Sequence, residues 1–282
     1  MPIHETSYLS WEGSILEKPR TWLVIARTGI RLAWRKAMAG LIFVAAIPFL
    51  VRTVQIYLAA QIPDEGDLAA LDSVIKIDET LFMDFMRDQL FILFVILAYC
   101  GAGLIANDRK HKALSLYFSR PVSFRDYVAG KFLVLYVYGS VVTIVPGLML
   151  FLVQALITKE QGFLSEYYWV PLSIIAQGTM ILIVIGGFML ALSSWARGAR
   201  SAIVSFFALI AIPAFVVELF QRYRDIGWVA VTRNLRQLSE PLYGRGTPYD
   251  YPLWAAIVSA LVVVALSVSI LRWRIKPTEV VK

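Results

Sequence analysis

Hydrophobic positions in this chain fall into long blocks, and polar positions into short clusters between them. Uncharged runs cover residues 89–107, 132–158, 167–196, 201–217 and 251–271, and a sixth, 38–60, is broken only by Arg52. Each is close to the roughly 17 to 25 residues that a helix needs to cross a bilayer. The pattern predicts an all-α integral membrane protein, one transmembrane unit over residues 1–282. Its six spans are expected at about 38–60, 89–107, 130–157, 169–195, 201–220 and 252–271. Aromatic residues mark several ends: Tyr167, Tyr168 and Trp169 open span 4 and Trp195 closes it, while Tyr251 and Trp254 open span 6 and Trp273 closes it. Such rings favour the headgroup zone.

Residues 20–36, before span 1, read differently. Arg20, Arg27, Arg31 and Arg35 share about 80° of arc at helical spacing. Trp22, Ile25, Ala26, Gly29, Leu32 and Ala33 lie opposite. A basic stripe opposite an apolar one predicts an interfacial helix on an anionic leaflet.

Composition agrees with the pattern. Of 282 residues, 59% are hydrophobic and only 17% charged, against about 25% in a soluble domain. A soluble core large enough to hide six such helices is beyond this chain length. No cleavable leader is expected, because Glu5, Glu12, Glu17 and Lys18 precede any long apolar run.

Charge sets the orientation. With both termini placed in the cytoplasm, the inside segments hold 18 of the 27 Lys and Arg and carry a net +12, and the outside segments carry −5. That asymmetry is the positive-inside pattern. Asp64, Glu65, Asp67, Asp72, Asp78, Glu79, Asp84 and Asp88 make the first outer segment strongly acidic. The arginine-rich segment 221–250, between spans 5 and 6, fits this orientation least well. Its Ile226, Val229, Leu235, Leu238 and Leu242 leave two readings open, short helices at the outer surface or a solvated loop.

Two charges lie near the outer ends of spans. Arg52 is fourteen residues past Met38, about 21 Å along a helix at roughly 1.5 Å per residue. Glu218 lies at a similar depth in span 5. A possible intramembrane pair is therefore Arg52 with Glu218, since charge inside a span calls for a partner. Pro48, Pro146 and Pro213 are expected to bend their spans.

The stretch between spans 2 and 3 carries the most information. Span 2 ends at Asn107 and Asp108. A segment over residues 112–119 follows, with Leu114, Leu116, Tyr117 and Phe118 clustered on it. It is too short to cross a membrane, and Pro121 disfavours helix at the residue before it. Ser123 with Asp126 three residues on predicts a capping box for the next helix, which enters span 3 through Gly130 and Lys131. The short segment thus presents apolar side chains on the cytoplasmic face, joined to two spans.

This run resembles the permease subunits of type-2, exporter-class ABC transporters, the multi-copper-maturation and drug-exporter group. The resemblance rests on Ala113-Leu114-Ser115-Leu116-Tyr117-Phe118, on Ser119-Arg120-Pro121-Val122-Ser123, and on Tyr127 and Gly130-Lys131. It implies that the short helix is a coupling helix docking on an ATP-binding subunit through Lys112, Leu114, Leu116, Tyr117, Phe118, Arg120 and Pro121. It also implies a second permease subunit, identical or related, and a bacterial cell membrane.

Catalytic chemistry finds little support. The chain has no Gly-x-x-x-x-Gly-Lys-Ser/Thr loop, so ATP hydrolysis by that route is expected on a separate partner. His4 and His111 lie outside the spans, which excludes intramembrane haem ligation by histidine. Cys100 is the single cysteine, so no internal disulfide can form. No cofactor, metal or nucleic-acid partner is expected. The alternative to transport is a membrane anchor or scaffold that transmits force or recruits a cytoplasmic protein.

Overall fold

Backbone crossing hydrocarbon must satisfy its own N–H and C=O groups, and a single apolar segment can do so only as a helix. The computed structural model describes residues 20–34, 36–61, 79–119, 122–157, 163–220 and 226–275, and among them there is no strand. Among the described residues, six helices are long and apolar enough to span a bilayer: Met38–Ala59, Thr80–Lys110, Phe124–Ile157, Val170–Trp195, Ala199–Phe220 and Leu253–Arg274.

Leaving aside the four-residue helix Phe163–Glu166, the α-helices in chain order are α1 (Thr21–Ala33), α2 (Lys36–Ala59), α3 (Glu79–Lys110), α4 (Ala113–Phe118), α5 (Phe124–Val142) and α6 (Ile144–Ile157). They continue as α7 (Val170–Ile181), α8 (Gly187–Trp195), α9 (Ala199–Phe220), α10 (Val231–Ser239) and α11 (Leu253–Arg274). Span 3 is α5 plus α6. The break falls at Thr143, directly after the Val142 carbonyl that Pro146, four residues on, cannot bond. Helices α2 and α9 run on through Pro48 and Pro213. Span 4 is α7 and α8 joined by a π-helical turn, Leu182–Gly186.

Burial separates an inner set from an outer one. The most apolar windows of spans 2 and 4 are each 61% buried, against 11% for spans 1 and 5 and 17% for span 6. Helix α3 is the central post, packed on α2, α5, α8 and α9. One cluster, built around Leu93, Leu97, Leu135, Ile185 and Phe206, fills most of its length. A second, around Phe82, Phe85, Met86, Phe151 and Tyr243, fills the end where α3 begins.

Helix α3 starts about ten residues before the stretch that predicted it. Leu81, Phe82, Phe85 and Met86 are buried on one face, while Arg87 and Asp88 lie exposed on the other. The charges that end the uncharged run therefore occupy the outward face of a continuing helix.

The apolar stripe of α1 meets protein. Gly29 lies against Val134, and Gly130 against Ile25 and the Trp22 carbonyl. Ile25 and Ala26 are buried, whereas Leu32 faces outward with Arg27 and Arg31. Gly101 similarly admits Met189 and Leu135 between spans, while Gly187 has open space in front of it.

Candidate functional site

Spans 2, 3 and 4 meet at the end where α3 finishes, and polar side chains join them there. Ser193 of α8 donates its hydroxyl to the Ala102 carbonyl at 2.8 Å and accepts from the Ile105 and Ala106 N–H groups at 3.1 Å each. The Arg109 guanidinium donates to the Ser194 carbonyl. These contacts fix the end of span 2 against span 4.

Asp108, one residue earlier, holds the centre of the site. Its Oδ2 accepts from Lys131 Nζ at 2.7 Å and from the Tyr127 hydroxyl at 2.7 Å. Both donors sit on α5, within the first turns after its start. The start is set by Ser123, whose Oγ accepts from the Asp126 N–H at 3.1 Å while the Asp126 carboxylate faces back to the Ser123 N–H. This is the capping box expected from the sequence, and it fixes where Tyr127 and Lys131 fall on the helix. The Asp108 and Lys131 side chains are only 18% and 8% exposed. A pair this buried is costly to break, because the group left behind is an uncompensated charge.

Helix α4 packs onto this pair through its rings. Tyr117 meets Tyr127 edge-on at 5.3 Å between centroids, and Phe118 meets it at 5.9 Å. Lys131 Nζ lies 5.7 Å from the Tyr117 centroid and 5.5 Å from that of Tyr127, within cation–π range. Burial, and after it the negative charge of Asp108, raise the pKa of the Tyr117 hydroxyl, so the ring stays neutral.

The expected docking residues divide into two groups. Leu114, Tyr117 and Phe118 turn back and pack against the core. Leu116 points outward and is 71% exposed. Lys112 is exposed at the turn before α4, in the left-handed region with φ 56°. Arg120 and Pro121 lie outside the described residues. The aromatic cluster expected to face solvent is thus largely the seat of the helix, and Leu116, with Ser115 and Ser119, forms its outward face.

The expected Arg52–Glu218 pair is replaced by two others. Arg52 donates to Asp88 Oδ2 at 2.7 Å and to Gln55 Oε1 at 3.0 Å. Glu218 accepts from Arg233 Nη2 at 2.7 Å. Equal depth does not make two residues neighbours: α2 packs on α3, which carries Asp88, and α9 packs on α10, which carries Arg233.

Between spans 5 and 6, α10 and its flanking turns form a folded polar unit. Asn234, almost fully buried, donates to the Trp228 carbonyl and to Ser259 Oγ, both at 2.7 Å, and accepts from the Tyr251 hydroxyl at 3.1 Å. Gln237 donates to the carbonyls of Tyr249 and Tyr251 and accepts from the Tyr249 N–H. The Tyr243 hydroxyl donates to Gln177 of span 4 at 2.7 Å, and burial raises its pKa. Arg236 donates to Glu240 at 2.7 Å, and that hydrogen bond raises its already high pKa. The arginines of the segment that fitted the charge rule least well are partly neutralised in place: Arg233 and Arg236 each hold a carboxylate.

In the sequence Asp108, Tyr127 and Lys131 stand only as parts of a motif, and no pattern there assigns them a role. A signal was present: Lys131 is a lone cation just inside an apolar run, and such a charge needs a counter-ion. Among the described residues no group of histidine, cysteine and carboxylate side chains could hold a metal ion.

Comparison with curated proteins finds no match. The family model described as ABC-2 family transporter protein matches residues 79–271, which begin at the first residue of α3 and reach nearly to the end of α11. With five of the six spans inside that match, the chain belongs to the ABC-2 family of transporter proteins, membrane components of transport systems.

Proposed function

We propose that this chain is the permease subunit of an ATP-driven exporter, of the multi-copper-maturation or drug-exporter group, and that α4 is its coupling helix. One observation carries the reading: α4 is seated on a buried ion pair that joins span 2 to span 3. Asp108 belongs to the first span and Lys131 and Tyr127 to the second, and the rings of Tyr117 and Phe118 rest on them. A push on the outward face of α4 reaches both spans at once, because the joint has few free torsions to absorb it. The exposed Leu116 offers that face an apolar point of contact for a soluble partner.

In this reading ATP is bound and hydrolysed on a separate subunit, and two permease copies, identical or related, enclose the pathway. The protein lies in a bacterial cell membrane with both termini and α4 in the cytoplasm, as the net +12 on that side supports. The outward arginines of α1 then face anionic headgroups, while its apolar stripe leans on span 3.

Site-directed crosslinking tests the docking. Leu116→Cys, in a Cys100→Ala background, is expected to crosslink to the co-purifying ATP-binding subunit. Leu172→Cys, exposed near the other end of the spans, is expected not to. Equal crosslinking from the two positions, or none from Leu116→Cys in an assembled complex, refutes the assignment.

A further inference from the structure

An apolar groove of about 650 Å³ runs along the outer flank of span 6, at the end opposite Asp108. Trp228 and Val229 form one wall, and Trp254, Val258 and Val262 of α11 form the other. The volume lies within the roughly 300–1,000 Å³ of ligand pockets. Among the described residues, no lining residue is charged. We infer that this groove is a specific binding site for one acyl chain of a bilayer lipid, entered from the leaflet at this end of the spans.

Four features select that occupant. First, the wall residues Val258 and Val262 are about half exposed and continuous with the outward face of α11, where Leu261 is also exposed. The groove therefore opens sideways, onto the surface that hydrocarbon covers. Second, the depth matches one leaflet. From Trp254 to Val262 is eight residues, about 12 Å at roughly 1.5 Å per residue, against half of a hydrocarbon core of about 30 Å. Third, Trp228 and Trp254 stand at the mouth, both more than half exposed, and indole rings favour the headgroup level. Fourth, Ser259 Oγ, about 7.5 Å deeper than Trp254 along the helix, is engaged by Asn234 Nδ2, so this polar group of the wall is tied to the protein and the chain meets mostly apolar side chains.

Among the described residues the nearby cations Arg233 and Arg236 of α10 are already paired with Glu218 and Glu240, so they leave the site to select the chain. The wall carrying Trp228 and Val229 is held by the Asn234 bond to the Trp228 carbonyl, which makes the groove preformed. The inference needs only the membrane placement of the spans. It does not depend on α4 or on any ATP-binding partner.

The test uses the full chain in nanodiscs with a phosphatidylcholine carrying a diazirine in one acyl chain. Labelled peptides are mapped by mass spectrometry as the probe fraction rises. Labelling at 254–262 is expected to saturate and to be competed equally by unlabelled phosphatidylcholine and phosphatidylglycerol. Labelling of the exposed span 1 face, Phe43 to Val54, should instead rise in proportion to the probe. Val258→Trp, placed at a half-exposed position, should reduce labelling at 254–262 to the span 1 level and leave span 1 unchanged. Proportional, non-saturating labelling at 254–262 overturns the proposal. So does saturable labelling that Val258→Trp leaves intact, or a crosslink at Val258→Cys between two copies of the chain.

Discussion

Asp108 and Lys131 are chemically ordinary side chains made consequential by burial. Removing either leaves the other charged in a poorly solvated place, which costs about 3–5 kcal/mol. Asp108→Asn and Lys131→Met should each destabilise the protein in detergent by that order, read as a clearly lowered thermal unfolding midpoint. The double variant should lose clearly less than the sum, and additive losses would mean the pair contributes little. Gln237 is a second residue of this kind, because its amide satisfies two carbonyls and one N–H. Gln237→Ala strands them at about 1–3 kcal/mol per buried group. Arg245→Ala, at an exposed position, should leave the same unfolding midpoint unchanged. Neither Asp108 nor Gln237 could be ranked from sequence. Their partners lie 23 and 12 to 14 residues away, and only packing brings them together.

Helices were the most legible objects in the chain. The spans are readable because hydrocarbon excludes charge, so uncharged length nearly equals span length. That rule fails at the start of α3, where helix continues past the apolar zone with Leu81, Phe82, Phe85 and Met86 facing inward. It cannot give rotation about the helix axis either, which is why Arg52 and Glu218 each found another partner. The stripe on α1 was legible as a stripe, but whether lipid or protein covers it depends on a neighbour. Gly130 is where that neighbour comes close: a Cβ there would stand 2.7 Å from the Trp22 carbonyl oxygen and 2.8 Å from Ile25 Cβ. Backbone oxygen cannot rotate away as a side chain can. Gly130→Ala should therefore loosen α1, read as faster hydrogen exchange over residues 21–33, whereas Gly187→Ala, facing open space, should leave exchange there unchanged.

The molecule as a whole has two ends with different construction. At one, α4 sits on a buried ion pair shared by spans 2 and 3, and a single leucine projects from it. At the other, α10 and its turns close over spans 4, 5 and 6 through neutral hydrogen bonds and paired arginines. Spans 1, 5 and 6 surround the inner spans and bury only 11–17% of their most apolar windows, which leaves apolar area for lipid and for a second copy. Native mass spectrometry of the detergent-solubilised complex should find two permease chains with two ATP-binding subunits, and a one-to-one assembly would contradict the paired pathway. The central claim is that force enters through α4. It is tested most directly by ATPase activity and vesicle transport of the complex carrying Leu116→Glu, with the unfolding midpoint as the control for folding. The account predicts a normally folded permease that no longer binds its ATP-binding subunit and shows neither stimulated ATPase activity nor transport. Unchanged binding, ATPase activity and transport in that variant would contradict it.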